Sequence, residues 1–467
     1  MKHLEYINYV EAILKEGQVP GAQICLMDDS GVILTHTYGF ADIEKSKPIT
    51  EKTIFGIASM SKSLTCTAIS LLEHEGKLSW QDPVRKYFPA FSIPGMPPEA
   101  VTLEHLAMHT TGIPPLPTLA WSFVQHTPAD PWEEEDYQML AKAAECKVET
   151  IDDIIQYIAE GKYRALGQAG EYRSYLNEGY ALLSSVVDQV ANQTLENFLA
   201  ERVFKPLGMH HTTFDLEEAK ASEDITDLFS KSKGEVKGSK IWDEAPPYRG
   251  CGWVKSTAED ITRYYLCLSQ GGKLKHQQLL PVEVTEQMFG NRFASTVEGT
   301  YCYGLNKHVF NGHVICDHSG GLKGVASRGG FLKDEGFAVT VLTNLGSFNT
   351  APIFNAAINW KLEYPLETSH QWAKPSNSTY FSPEVYTGKF SIREGKEQII
   401  EIVYDETEGL IARAEDQELR MIHCGRTDFL LIPKGGKEID AIVCKAFVRD
   451  GKAWGYSRGS RILQRIE

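Results

Sequence analysis

A mixed α/β (α+β) architecture is predicted for this chain: an antiparallel sheet flanked by helices, followed by a small C-terminal β-barrel. Three observations carry the prediction. Near the N-terminus, short apolar and β-branched runs lead into a segment whose apolar residues (Leu64, Ala68, Ile69, Leu71, Leu72) recur at helical spacing. From His313 to Asn344, alternating runs broken by glycines look like adjacent strands of one sheet. Between 398 and 457, short alternating runs separated by turns such as Asp450-Gly451 mean a small barrel or sandwich.

The composition fits that reading. With 467 residues, 42% of them hydrophobic and 23% charged, the chain can bury a full core, in two domains or in one large domain with an addition. A formal charge of -15 argues against nucleic acid or an anionic membrane as partner. Nothing approaches a transmembrane span. Nine cysteines (Cys25, Cys66, Cys146, Cys251, Cys267, Cys302, Cys316, Cys424 and Cys444) are scattered without C-x-x-C spacing, which reads as reduced thiols in the cytoplasm.

Taken in order, the chain begins with Leu4, Ile7, Val10 and Ile13 or Leu14 interleaved with charges. That is an amphipathic helix rather than a signal peptide. Gln23–Met27 and Val32–Tyr38 flank Asp28-Asp29-Ser30-Gly31 and read as a β-hairpin. Thr53–Ile57 reads as a third strand, leading into a helix that ends near Gly76.

The start of that helix carries the chemistry. Ser59 and Lys62 are three residues apart, so they share a face of the first turn and the amine can reach the hydroxyl. Free N-H groups at a helix start can also hold an oxyanion. S-x-x-K is a nucleophile motif, yet alone it is weak, since Ser230 to Lys233 matches too. That second match lies in a polar, Gly-containing stretch that reads as loop.

Beyond the helix, His105 and His109 form an i, i+4 pair, but no third ligand accompanies them and a structural pairing near a helix end is favoured over metal. The stretch from Pro114 to Thr150 reads as a solvated loop whose acids start a helix at Tyr137–Cys146, the alternative being a lid. Tyr175 and Asn177 stand just before a helix running to Ala191, spaced to face one cleft. A phenol beside Lys62 can share the work of a base, and an amide can both donate to and accept from a substrate. In His318-Ser319-Gly320-Gly321 the glycines mark close backbone approach, read here as approach by a substrate whose carbonyl oxygen sits between N-H groups.

Order and context then identify a family. The sequence resembles the serine β-lactamase-like, penicillin-binding-protein-like hydrolases, in particular the class C, D-aminopeptidase and esterase branch (peptidase family S12). The likeness rests on S-M-S-K at 59–62, H-L-A-M-H-T-T-G-I at 105–113, Y-L-N at 175–177, P-L-G-M at 206–209, G-W-V-K-S-T-A-E-D at 252–260 and H-S-G-G at 318–321, covering about residues 20 to 360. The resemblance implies the β-lactamase/transpeptidase-like fold over 1–367. It also implies that Ser59 is acylated, with Lys62 and Tyr175 as the coupled base. Asn177 would hold the substrate's acyl side chain or amide, and the N-H groups of Ser59 and Gly321 would form the oxyanion hole, with His318, Ser319 and Gly320 lining the substrate site.

One departure matters. Where classical members carry Lys-Thr-Gly, this chain has His318-Ser319-Gly320, and an imidazole anchors a carboxylate less well than an ammonium. The expectation is therefore a serine hydrolase acting on an ester or amide of a small molecule or short peptide rather than efficiently on β-lactams. An acyltransferase using the same acyl-enzyme and a silent scaffold of the same fold are the alternatives. No metal or organic cofactor is implied, and a homo-oligomer is left open. After a polar linker at 369–378, residues 379–467 resemble the lipocalin-like barrel that several members append.

Overall fold

Alternate residues of the strand Gly21–Asp28 enter two different cores, as a period of two demands. Ala22, Ile24 and Leu26 pack under the N-terminal helix Lys2–Glu16 and the helix Ala351–Lys361, while Cys25 and Met27 face the helices of the active-site side. The computed structural model describes residues 2–290, 293–295, 299–333, 335–371, 373–376, 382–415, 417–436 and 441–467.

The hairpin Gly21–Asp28/Gly31–Gly39 forms one end of an 8-stranded antiparallel sheet. Its inner strand pairs with Phe337–Thr343, in register from Ala22↔Thr343 to Asp28↔Phe337. Val325–Leu332, His313–Leu322, Asn306–Phe310, Gly299–Tyr301 and Phe293–Ser295 follow in that order. The strand His313–Leu322 is flanked on both sides only as far as Asp317, where Asn306 is its last partner. From His318 onward that edge is open to the turn carrying Ser59.

Thr53–Ile57 is not a third strand of this sheet. Ile54 makes a single parallel bridge to Ile225, and Phe55–Gly56 pairs with Lys255–Ser256 in a separate two-stranded ladder. The apolar run is a buried connector, with Ile54, Phe55 and Ile57 all in the core, and burial on every side gives the same sequence signature as a strand. The polar segment around Ser230 is also not loop: Leu228–Ser232 and Glu235–Ser239 make a hairpin turned at Lys233-Gly234, both at positive φ. Between Pro114 and Thr150 the expected loop contains a helix, Thr118–His126, and the acid-started helix spans Glu134–Ala143.

The C-terminal unit is a closed barrel of eight strands. Each short run expected from the sequence lies in a strand, and Gly388–Glu394 and Arg461–Arg465 add the pair that closes it, through Phe390↔Arg465. Phe390, Tyr456, Tyr386, Phe429 and Met421 fill its interior. Residues 372, 377 and 378 of the linker lie outside the described residues.

Candidate active site

An abrupt turn precedes Ser59. Ala58 sits at φ 45, a region that costs a non-glycine residue of order 1 kcal/mol or more. It opens a single 3-10 turn, Ala58–Met60, and the α-helix Ser61–His74 continues from it. Ser59 thus lies one turn ahead of the helix proper, only partly buried while its neighbours Ala58 and Met60 are fully so. Among the described residues, no hydrogen bond is made by its backbone N-H.

Lys62 is fully buried. Its Nζ donates to Ser59 Oγ at 3.1 Å, to Asn177 Oδ1 at 3.0 Å and to the Cys251 carbonyl oxygen at 2.8 Å. These three acceptors match the three N-H donors of an ammonium. The Tyr175 ring stands 4.8 Å from the same nitrogen, and its buried hydroxyl has no partner among the described residues. The sequence reading placed Asn177 just before a helix; it is the first residue of Asn177–Ala191.

Gly320 and Gly321 differ in kind. A Cβ on Gly320 would run into the Ile57 carbonyl oxygen and the Ser327 hydroxyl, so this glycine lets the strand approach the chain's own turn before Ser59 rather than a substrate. A Cβ on Gly321 would meet nothing within 4 Å, and Ser319 and Gly321 are both exposed. Gly320→Ala is therefore expected to lower stability by about 1–3 kcal/mol and to slow labelling of Ser59. Gly321→Ala should leave the melting temperature unchanged. Equal effects from the two would show that the turn and strand are not in this contact.

His318 is buried, with both ring nitrogens engaged. Nδ1 lies 2.6 Å from the Ser319 carbonyl oxygen, which can only accept, so Nδ1 donates and Nε2 accepts from the Tyr301 hydroxyl at 3.1 Å. Burial and then the Lys62 charge push the imidazole down to about 3, so it is neutral throughout the physiological range.

The expected histidine pair separates. His105 caps its own short helix, Leu103–Ala107, through Thr102. His109 leaves that helix at φ 59 and enters the site, its ring 4.2 Å from that of Tyr175. Its carbonyl accepts from the Ser174 N-H at 2.9 Å and its Nδ1 from the Leu176 N-H at 3.0 Å, so it grips the tyrosine's loop from both sides. Burial, aided by the Arg173 charge, holds its pKa well below 6.5. The i, i+4 reading assumed a helix continuing through His109, and Gly112 at φ 81 was the available sign that it breaks.

Two further groups had no sequence signal. Glu178, behind Asn177, accepts from Thr118 Oγ1 at 2.6 Å and Tyr248 OH at 3.2 Å. Burial pushes its carboxyl up to about 7, with the Thr118 hydrogen bond working the other way. A proton bound more tightly in the folded state stabilises fully below about 4.5 and is lost as pH rises through about 7, a contribution on the order of 3 kcal/mol. Melting curves from pH 5 to 8 should thus show Glu178→Gln gaining on the wild type as pH rises; a constant gap would show that Glu178 does not titrate there. The second group comes from the barrel, where Glu394 and Arg461 reach Asn177 and Tyr175.

Comparison with known proteins follows this geometry. The Beta-lactamase family model matches residues 7–360. Penicillin-binding protein 4* of Bacillus subtilis (strain 168) is 26% identical over 45% of this chain, which spans only 41% of that relative's length. The octameric penicillin-binding protein homologue from Pyrococcus abyssi superposes with a TM-score of 0.68 at 22% identity, covering 99% of this chain and 100% of that one. A class C beta-lactamase gives a TM-score of 0.60 at 17% identity over 77% of this chain and 94% of its own.

Proposed function

The chain belongs to the Beta-lactamase family, and from that premise we propose that it is a serine hydrolase working through an acyl-enzyme on Ser59. The observation that carries the reading is the 3.1 Å hydrogen bond between Lys62 Nζ and a partly exposed Ser59 Oγ at a strained turn. With Lys62 as the neutral amine, the form able to accept, Ser59 Oγ attacks the substrate carbonyl carbon while its proton passes to the Lys62–Tyr175 unit. The N-H groups of Ser59 and Gly321 receive the oxyanion. The same unit returns the proton to the leaving group as the ester or amide bond breaks, and water then releases the acyl group.

The substrate we propose is an ester or amide of a small molecule or short peptide. His318 is neutral and spends both nitrogens inside the protein, so it offers a substrate carboxylate no charge. Nitrocefin should accordingly be turned over more slowly than a good p-nitrophenyl ester or amino acid anilide. Comparison of kcat/KM across such a panel, including D- and L-anilides, tests the reading, and rapid nitrocefin hydrolysis would overturn it. Absence of any Ser59 adduct would overturn the acyl-enzyme itself. A homo-oligomer is proposed on likeness to the octameric homologue, and light scattering in solution tests it.

A further inference from the structure

The barrel touches the candidate catalytic residues at their backbone and at their side chains. The Tyr175 N-H donates to the Ser460 carbonyl at 2.8 Å, and the Ile462 N-H donates to Ser174 Oγ at 3.1 Å. Between those two bonds Arg461 lays its guanidinium 4.4 Å from the centre of the Tyr175 ring. Arg461 Nε and NH2 each donate to Glu394 at 2.8 Å, a two-point pairing that fixes both planes. Glu394 Oε1 in turn accepts from Asn177 Nδ2 at 3.4 Å.

The consequence lies in the Asn177 amide. Its oxygen accepts from the Lys62 nitrogen and its NH2 donates to the Glu394 carboxylate, which cannot donate and so rejects the flipped amide. Without Glu394, only Lys62 would orient Asn177, and the amide would be free to turn about its side-chain torsions. Arg461, stacked on Tyr175, joins His109 and Lys62 in holding that ring.

We propose that Glu394 and Arg461 of the barrel are positioning residues for the acylation of Ser59, Glu394 by fixing the Asn177 amide and Arg461 by fixing the Tyr175 ring. This inference rests on the reading of Ser59 as nucleophile. It makes the C-terminal barrel part of the active site.

The experiment compares wild type, Glu394→Gln, Arg461→Ala and the exchange Glu394→Arg/Arg461→Glu in the full chain, by melting temperature, by the rate of Ser59 labelling with a fluorophosphonate, and by kcat and KM for an ester substrate. A misplaced catalytic group costs about 10²-fold, so both single variants should lose about that much in kcat and in labelling rate, with KM changed little. The exchange variant restores the ion pair between the two strands but places a guanidinium, which cannot accept, against the Asn177 NH2. It should recover melting temperature and not kcat. Recovery of kcat as well would overturn the inference, leaving the pair as a docking contact. So would a wild-type kcat in Glu394→Gln, whose near-identical size keeps the fold intact. Failure of the wild type to label on Ser59 would instead remove the nucleophile assignment on which the inference rests, and the two failures are told apart by that control.

Discussion

Ser59→Ala is expected to abolish turnover and covalent labelling while leaving the fold intact. Among the described residues the side chain caps no helix: the residue before the helix is Met60, which makes no side-chain cap, and Ser59 Oγ is one of three acceptors for Lys62. Losing one such bond costs about 1 kcal/mol, small beside the stability of a core this size. Intact-mass and peptide mass spectrometry of the trapped adduct is the check. An adduct on Ser230, or on any cysteine, with Ser59 unmodified would refute the mechanism.

Lys62→Ala should have the next largest effect. Proton transfer by a positioned side chain contributes about 10²–10⁴-fold, and Lys62 is the group hydrogen-bonded to the nucleophile. Tyr175→Phe should fall within the same range. The double variant should be little worse than the worse single, because residues acting as one unit give non-additive losses. Single-turnover acylation rates for the four proteins measure this. If the two losses multiply, the coupled base is wrong and the two side chains act at separate steps.

Local signals were legible, and contacts made across the chain were not. The amphipathic period of Lys2–Glu16, the hairpin at Asp28–Gly31 and the spacing of Ser59 and Lys62 each depend on neighbours in sequence, and each stands in the structure where expected. The barrel was legible because alternation and turns recur along it. Thr53–Ile57 differs from its expectation as a strand of the large sheet because a buried connector and a buried strand select the same apolar, β-branched residues. His109 was legible as a histidine in a motif but not as the clasp on Tyr175, since that contact depends on the backbone leaving the helix at positive φ. Glu394 and Arg461 carry no motif and lie more than 200 residues beyond Asn177. Glu178 carries no signal for a similar reason, its partners Thr118 and Tyr248 lying far from it in the chain.

The pairing of Gly21–Asp28 with Phe337–Thr343 sets a timetable for biosynthesis. About 300 residues must be translated before the first strand meets its inner neighbour, which at 5–20 residues per second is roughly 15–60 s. During that interval the hairpin presents Ile24, Cys25 and Leu26 on an unpaired edge, a surface that invites chaperones or aggregation. The turn holding Ser59 waits nearly as long, because the strand it packs against at Gly320 is made almost as late. A ribosome stalled before that strand would therefore carry a chain in which Ser59 has been synthesised while the strand it packs beside has not.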